Sequence, residues 1–354
     1  MLVYACVSSH GFGHASRTAA VLGELARRFP TCRIVLSTAV KPTFLKLAMG
    51  ETPFELRPCR WDVGVVQADA LDLDPTATLQ ALEDLDDQLP QQVEREALWL
   101  ESQPTRPLIL ADVPPSAARL AERLGCPLIW LASFGWETIY RPLGEAFQLW
   151  AERALAAYRQ GDLLLRCPFS LPMDWDLPTE DLGLTSSKPR HDLAEVASRL
   201  ALPTERERCV LVSFGGLGMD MDPSWLARWP EHVFVGVDPL LLDAPNGRLL
   251  PPDLRPLDVM PLAARMITKP GYSTFCEAIQ EGVGLHVVRR TGFAEAPVLE
   301  RGLGEEGWHR LLEESEFRRG DWQLDQPLRA PRAPRLSREG ASQAAELLGR
   351  LLGR

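Results

Sequence analysis

No apolar run in this sequence approaches the ~18 residues that a membrane-spanning helix requires. The N-terminus also lacks a basic lead-in and a long apolar core, so MLVYACV reads as a first strand and not as a secretory signal. Metal-type cysteine spacing is missing as well. Seven cysteines are scattered without a C-x-x-C pair, which points away from zinc and from a disulfide framework. Reduced thiols and a cytoplasmic location are the expectation. Positive charge is scarce: 38 Lys and Arg against 48 Asp and Glu leave a net charge of -10. The basic footprint that nucleic acid demands is therefore absent. Composition leaves peripheral membrane contact open. What remains is ordinary globular material, 45% apolar and 24% charged over 354 residues, enough for two domains with their own cores.

The pattern along the chain is strand, turn, helix, strand. Residues 2–8 form a short apolar run. The glycine turn SSHGFGHASR, Ser8 to Arg17, follows it. From Ser16 the period changes, with Val21, Leu22, Leu25 and Phe29 on one helical face until Pro30. Ile34 to Ser37 is the next strand. The unit recurs at Leu108 to Ala111, closed by Asp112, with Pro114 and Pro115 opening a helix that runs to Leu124. Leu128 to Leu131 is a further strand, and 76–101 reads as helix. Around 167–190 the texture becomes rich in Pro, Asp and Ser, as in an inter-domain linker. After it the apolar run Cys209 to Phe214 ends in GGLG and repeats the opening pattern. RAPRAPR, Arg329 to Arg335, reads as a stiff connector. A last helix is expected after it, capped by Ser337 and packing through Leu347, Leu348, Leu351 and Leu352.

Two turns carry the chemistry. In the first, Gly11 and Gly13 let backbone approach a ligand closely at a helix start, where unpaired N–H groups attract anions. His10 and His14 lie at the C-terminal edge of a first parallel strand, where doubly wound folds bind ligands. An imidazole there suits a general base. A zinc pair at i, i+4 is the competing reading and has no third ligand. In the second turn, TKPGYSTFCEAIQEGVG, Lys269 and Gly271 turn the chain, Ser273 and Thr274 cap a helix, and Glu277 sits one turn inside. Hydroxyls and free amides at a helix start suit a diphosphate; a carboxylate one turn on suits a ribose diol. The plain alternative is a capped helix with a salt-bridging Glu.

Together these turns resemble GT-B fold glycosyltransferases. SSHGFGHASR is similar to the glycine-histidine turn of the lipid-linked N-acetylglucosaminyltransferases and small-molecule glucosyltransferases. GYSTFCE is similar to their nucleotide-binding helix. The match tightens to the glycosyltransferase-like N-terminal region of L-arabinokinase-type proteins and their stand-alone bacterial relatives. Seven blocks occur in the same order over about residues 1–325: HGFGHASR, VQADALDLD, ADVPPSAARLA, SFGWETIY, SFGG, KPGYSTFCEA and VVRRTGFAEAPVLE. No glycine-serine ATP loop of a sugar kinase is found, so the kinase activity of those larger proteins is not implied.

The resemblance implies two Rossmann-like α/β domains facing across a cleft. An acceptor-side domain would span 1–166 and a linker region 167–207. A nucleotide-sugar-binding domain would span 208–328, with a connector and helix over 329–354. It implies transfer of a sugar from a nucleoside diphosphate sugar, a UDP-sugar, to an acceptor, with no required cofactor and no metal. His14 then corresponds to the base near the acceptor, and Asp112 to the aspartate that orients it. Gly215 and Gly216 correspond to the donor-side turn, Ser273 and Thr274 to the phosphate contacts, and Glu277 to the ribose carboxylate. Lys269, one of four lysines, is placed to neutralise phosphate. The Asp-Gln or Gln-Gln pair that grips the donor sugar is absent, and Glu295 stands in for part of it. Arg289 and Arg290 either meet phosphates or brace the fold. Trp136 and Tyr140 are either an acceptor wall or core. Asp220-Met221-Asp222 spells the metal motif of a different glycosyltransferase fold and reads as a loop coincidence. A nucleotide-sugar epimerase and a non-catalytic nucleotide-sugar-binding module are the alternatives.

Overall fold

The computed structural model describes residues 1–66, 74–215, 222–290 and 294–353. Two compact units divide them: Met1–Ser187 with Ser337–Arg354, and Lys188–Leu336.

The first unit is built on a seven-stranded sheet. Its strands are β1 Leu2–Val7, β2 Arg33–Ser37, β3 Glu55–Arg57, β4 Pro107–Asp112, β5 Leu128–Ala132, β6 Leu163–Arg166 and β7 Thr179–Asp181. Their order is β3-β2-β1-β4-β5-β6-β7, and every pairing is parallel. Every residue of β1, β4 and β5 is buried, which is why these segments read as unbroken apolar runs. The chain leaves β1 for β2 and β3 on one side and resumes at β4 on the other. The ends of β1 and β4 thus form the switch point of the sheet, where such folds leave a crevice. Val7 pairs with Asp112 there, and the Ser8 N–H donates to the Asp112 carbonyl at 3.2 Å.

The second unit repeats the design with β8 Cys209–Val212, β9 Val233–Gly236, β10 Gly247–Leu249, β11 Arg265–Thr268, β12 Gly284–Val288 and β13 His309–Leu312. The order is β10-β9-β8-β11-β12-β13, again all parallel, with its switch point between β8 and β11. Val210, Val212, Phe234, Ile267, Phe317 and Trp322 form its core.

Several local expectations are corrected. The first helix, Gly13–Arg28, starts three residues before Ser16, directly out of the glycine turn and without a side-chain cap. The helix Ala117–Leu124 starts after the two prolines, which instead make the turn leading into it. Residues 167–207 are not a free linker. The part up to Ser187 belongs to the first unit, where β7 closes the sheet edge and the Cys167 and Leu171 N–H groups bond Ala132 and Ser133. Proline and polar residues suit such an edge. The part from Lys188 belongs to the second unit and carries the helix Leu193–Arg199, capped by Asp192.

The last helix, Gly340–Leu352, has Glu339 and not Ser337 at its N-cap position, without a side-chain cap bond. Ser337 instead bonds the Glu339 and Leu184 N–H groups. The buried face of this helix is Ala341, Ala344, Ala345, Leu348 and Gly349; Leu347, Leu351 and Leu352 are half-exposed. Small residues suit the close approach, because a Cβ at Gly349 would lie 2.2 Å from the Phe29 ring. Among the described residues no helix is long and apolar enough to cross a membrane.

One buried base makes the second unit acid-sensitive. His286 of β12 is fully buried, with Nε2 3.0 Å from Arg265 Nη1. Burial first, and then the Arg265 charge, push its pKa down to about 3. The unfolded chain takes up this proton near ~6.5 and the folded chain does not, so stability falls as pH drops from ~6.5 toward 3. Between pH ~6 and ~4, denaturant unfolding should show wild type losing roughly 1.4 kcal/mol per pH unit relative to His286→Leu. Parallel pH profiles of the two proteins would contradict this.

Candidate functional site

The first polar cluster starts from the turn after β1. Gly11 takes φ +81°, a left-handed conformation that glycine adopts without strain. Gly11 and Gly13 are exposed, and the helix begins at Gly13. His14, Arg17 and Thr18 then fall at i, i+3 and i+4 on one helical face, toward the end of β4. All three converge on Asp112. His14 Nδ1 is 2.8 Å from Oδ1; Arg17 bonds both oxygens, through Nη2 at 2.5 Å and Nε at 2.8 Å; Thr18 Oγ1 donates to Oδ2 at 2.7 Å. Arg17 Nη1 also reaches Ser133 Oγ at 2.8 Å.

Asp112 is fully buried, which by itself would raise its pKa. The Arg17 charge, then His14, with their hydrogen bonds, outweigh burial and bring the carboxyl down to about 2. The ionised Asp112 accepts the hydrogen bond of His14 Nδ1–H, which fixes the tautomer with its lone pair on Nε2. The chain just after Asp112 is strained. Val113, a β-branched residue, sits at φ +80°, and its carbonyl accepts the Tyr158 hydroxyl at 2.7 Å.

Beside this dyad lies an aromatic group. Phe134 meets His14 edge-on at 5.7 Å and Trp136 at 5.0 Å; Trp136 in turn stacks on Tyr140 and meets His10 at 5.4 Å. Trp136 and Tyr140 are buried, so they are core and not an open wall. The exposed ring at this turn is Phe12, stacked on Phe44 at 4.2 Å.

The second cluster lies at the switch point of the other sheet. Gly215 follows β8 at φ +71°, and the Lys269 side chain lies beside it, with Cε 4.0 Å from where a Cβ would stand. Lys269 to Gly271 turn out of β11 into the helix Tyr272–Glu281. The N-cap is Gly271 and makes no side-chain cap bond. Ser273 and Thr274 are thus inside the first turn and do not cap it, which corrects the expected arrangement. Glu277 follows them at i+4 and i+3, on the same face. Its side chain is partly buried and makes no hydrogen bond or ion pair among the described residues. Burial pushes its pKa up to about 7; Arg255 opposes this and Asp258 adds to it. Lys269 is driven down to about 8 by burial and by Arg290.

Other expected residues divide. Arg289 pairs with Glu313 at 3.1 Å and Glu300 at 3.5 Å, so it braces the second unit. Glu295 stands at the N-cap of the helix Ala296–Glu306, without a cap bond. Asp222 caps the short helix after it by accepting the Ser224 N–H at 2.8 Å. Gly216, Asp220, Met221, Thr291 to Phe293 and most of VQADALDLD lie outside the described residues. Among the described residues no group of three or more His, Cys, Asp or Glu is arranged to hold a metal. Arg17 was missed by sequence reasoning, although its spacing from His14 on a helix was readable.

No family model matches the chain. L-arabinokinase of Arabidopsis thaliana is 28% identical over 301 residues, which are 83% of this chain and 28% of that protein. The chain thus spans little more than a quarter of this relative's length. Its fold matches the calicheamicin glycosyltransferase at TM-score 0.64 and 18% identity, over 100% of this chain and 98% of that one. It also matches a UDP-glucosyltransferase from Polygonum tinctorium capable of glucosylating indoxyl, at TM-score 0.65 and 16% identity, over 100% and 98%. The glycotransferase of kitacinnamycin matches at 0.60 and 19%, over 99% and 98%. At these identities the likeness establishes the fold: the chain has the α/β, two-sheet GT-B fold of glycosyltransferases.

Proposed function

We propose that the protein transfers a sugar from a nucleoside diphosphate sugar, a UDP-sugar, to an acceptor hydroxyl. The observation that carries this reading is the His14–Asp112 pair at the switch point of the first sheet. His14 Nε2 takes the hydroxyl proton as the acceptor oxygen attacks the anomeric carbon. The bond from that carbon to the diphosphate breaks, and the nucleoside diphosphate leaves with the electron pair. The ionised Asp112 holds the imidazolium that forms. In the second unit, Lys269 and the N–H groups around Ser273 and Thr274 meet the charge of the leaving diphosphate. Gly215 lets backbone approach it, and Glu277 accepts from the ribose hydroxyls. The fold's solved relatives include an enzyme named for UDP-glucose transfer, which supports UDP as the nucleotide.

The donor half is tested by nucleotide binding. Glu277 accepts hydroxyls best when ionised, so UDP affinity should rise as pH passes upward through about 7. It should fall again above about 8, as Lys269 loses its charge. Glu277→Gln should weaken UDP by ~10-fold or more, the scale of a lost charged hydrogen bond, and abolish the lower limb. Calorimetric titration of UDP across pH checks both. A flat pH profile, or unchanged affinity in Glu277→Gln, counts against this site.

A further inference from the structure

The first unit holds a buried carboxyl that the dyad does not use. Asp62 is 4% exposed. Its Oδ2 accepts the Trp136 Nε1–H at 2.8 Å, while Oδ1 has no hydrogen-bond partner. Burial raises its proton affinity, with Ser8, Trp136, His14 and Arg60 opposing only in part. A half-satisfied carboxyl in a core costs stability, and such costs persist where a ligand uses the group.

Its neighbours place it in the site. Trp136 carries His10 on its ring edge, and His10 rests on Gly64, where a Cβ would come within 2.4 Å of Nδ1. The Tyr140 hydroxyl pins Gly64 by its carbonyl at 3.1 Å. Through Phe134 the same ring group reaches His14. The turn after β1, the segment Trp61 to Gly64 and the helix Trp136–Tyr140 thus bring two imidazoles and one carboxyl together.

We propose that Asp62 binds the acceptor, its Oδ1 receiving a hydroxyl of a polyhydroxylated molecule while His14 deprotonates another, with the half-exposed His10 ring moving aside to admit it. This rests on the glycosyl-transfer reading. The ligand class follows from the groups present. A carboxyl and two imidazoles are hydrogen-bonding groups that accept from and donate to hydroxyls, which a polyhydroxylated molecule supplies in number.

The test reads the Trp136 indole N–H by nuclear magnetic resonance, assigned with Trp136→Phe. The intact protein is titrated with a panel of pentoses, hexoses and inositols, and with 4-nitrophenol as the flat comparison. At least one polyol should shift the Trp136 signal, and Asp62→Asn should weaken that binding by ~10-fold or more. The variant should melt no lower than wild type, because Asn keeps the Trp136 bond without the half-satisfied carboxylate. Failure of every polyol, a response to 4-nitrophenol alone, unchanged polyol binding in Asp62→Asn, or a large fall in its melting temperature would each overturn the proposal. UDP binding is measured alongside. If wild type does not bind UDP, the glycosyl-transfer reading fails by itself, whatever the Trp136 signal does.

Discussion

His14→Ala should lower sugar transfer by ~10²–10⁴-fold, the range of a lost general base, while UDP affinity stays within about twofold. The two readouts separate because the proposed base and the proposed nucleotide contacts belong to different units, each at the switch point of its own sheet. His14 is buried, but Arg17 and Thr18 still hold Asp112 without it, so the fold should survive its removal. The loss should fall on kcat and kcat/KM alike, since the proton moves only in the transition state. His14→Gln keeps a bond to Asp112 but offers no basic nitrogen, and should be as inactive as alanine. Steady-state kinetics with a responsive acceptor, beside UDP titration, give both numbers. Equal activity in wild type and His14→Ala would remove His14 from the chemistry.

The second large effect is on stability. Arg17→Met should destabilise the protein by about 3–5 kcal/mol, the cost of leaving one member of a buried ion pair without its partner. Asp112 lies fully inside, and Arg17 supplies both its full countercharge and a bidentate grip. The Ser133 hydroxyl would lose its donor as well. Arg17→Lys should recover only part of the loss, because a single ammonium cannot reproduce the planar fork. Denaturant unfolding of the three proteins tests this. A loss below about 1 kcal/mol in Arg17→Met would mean that Thr18 and His14 suffice to hold Asp112.

Most of the fold was legible because central parallel strands are buried on both faces. Leu2 to Val7, Leu108 to Asp112 and Cys209 to Val212 announce themselves as apolar runs that end in turns. Edge elements were not. Thr179–Asp181 is a three-residue exposed strand in a proline-rich stretch, with no alternation to betray it. The closing helix misled for another reason: its leucines suggested the buried face, but close packing against Phe29 selected alanine and glycine. In the site, the pairing of His14 with Asp112 was expected from the family resemblance, and the two side chains lie 2.8 Å apart. Arg17 was passed over because a basic residue on a helix usually faces water. Asp62 and the strained Val113 carried no local signal, since their meaning comes from contacts with residues 136 and 158, far along the chain.

The most direct test of sugar transfer is UDP release from a panel of UDP-sugars, with and without candidate acceptors, in wild type, His14→Ala and Glu277→Gln. The account predicts acceptor-dependent release by wild type with at least one pair. It predicts none above background in His14→Ala, and release in Glu277→Gln recovered only at higher donor concentration. Folded wild type that binds UDP but releases none with any pair, or His14→Ala that matches wild type, would contradict it and favour a module that binds nucleotide-sugar without turning it over.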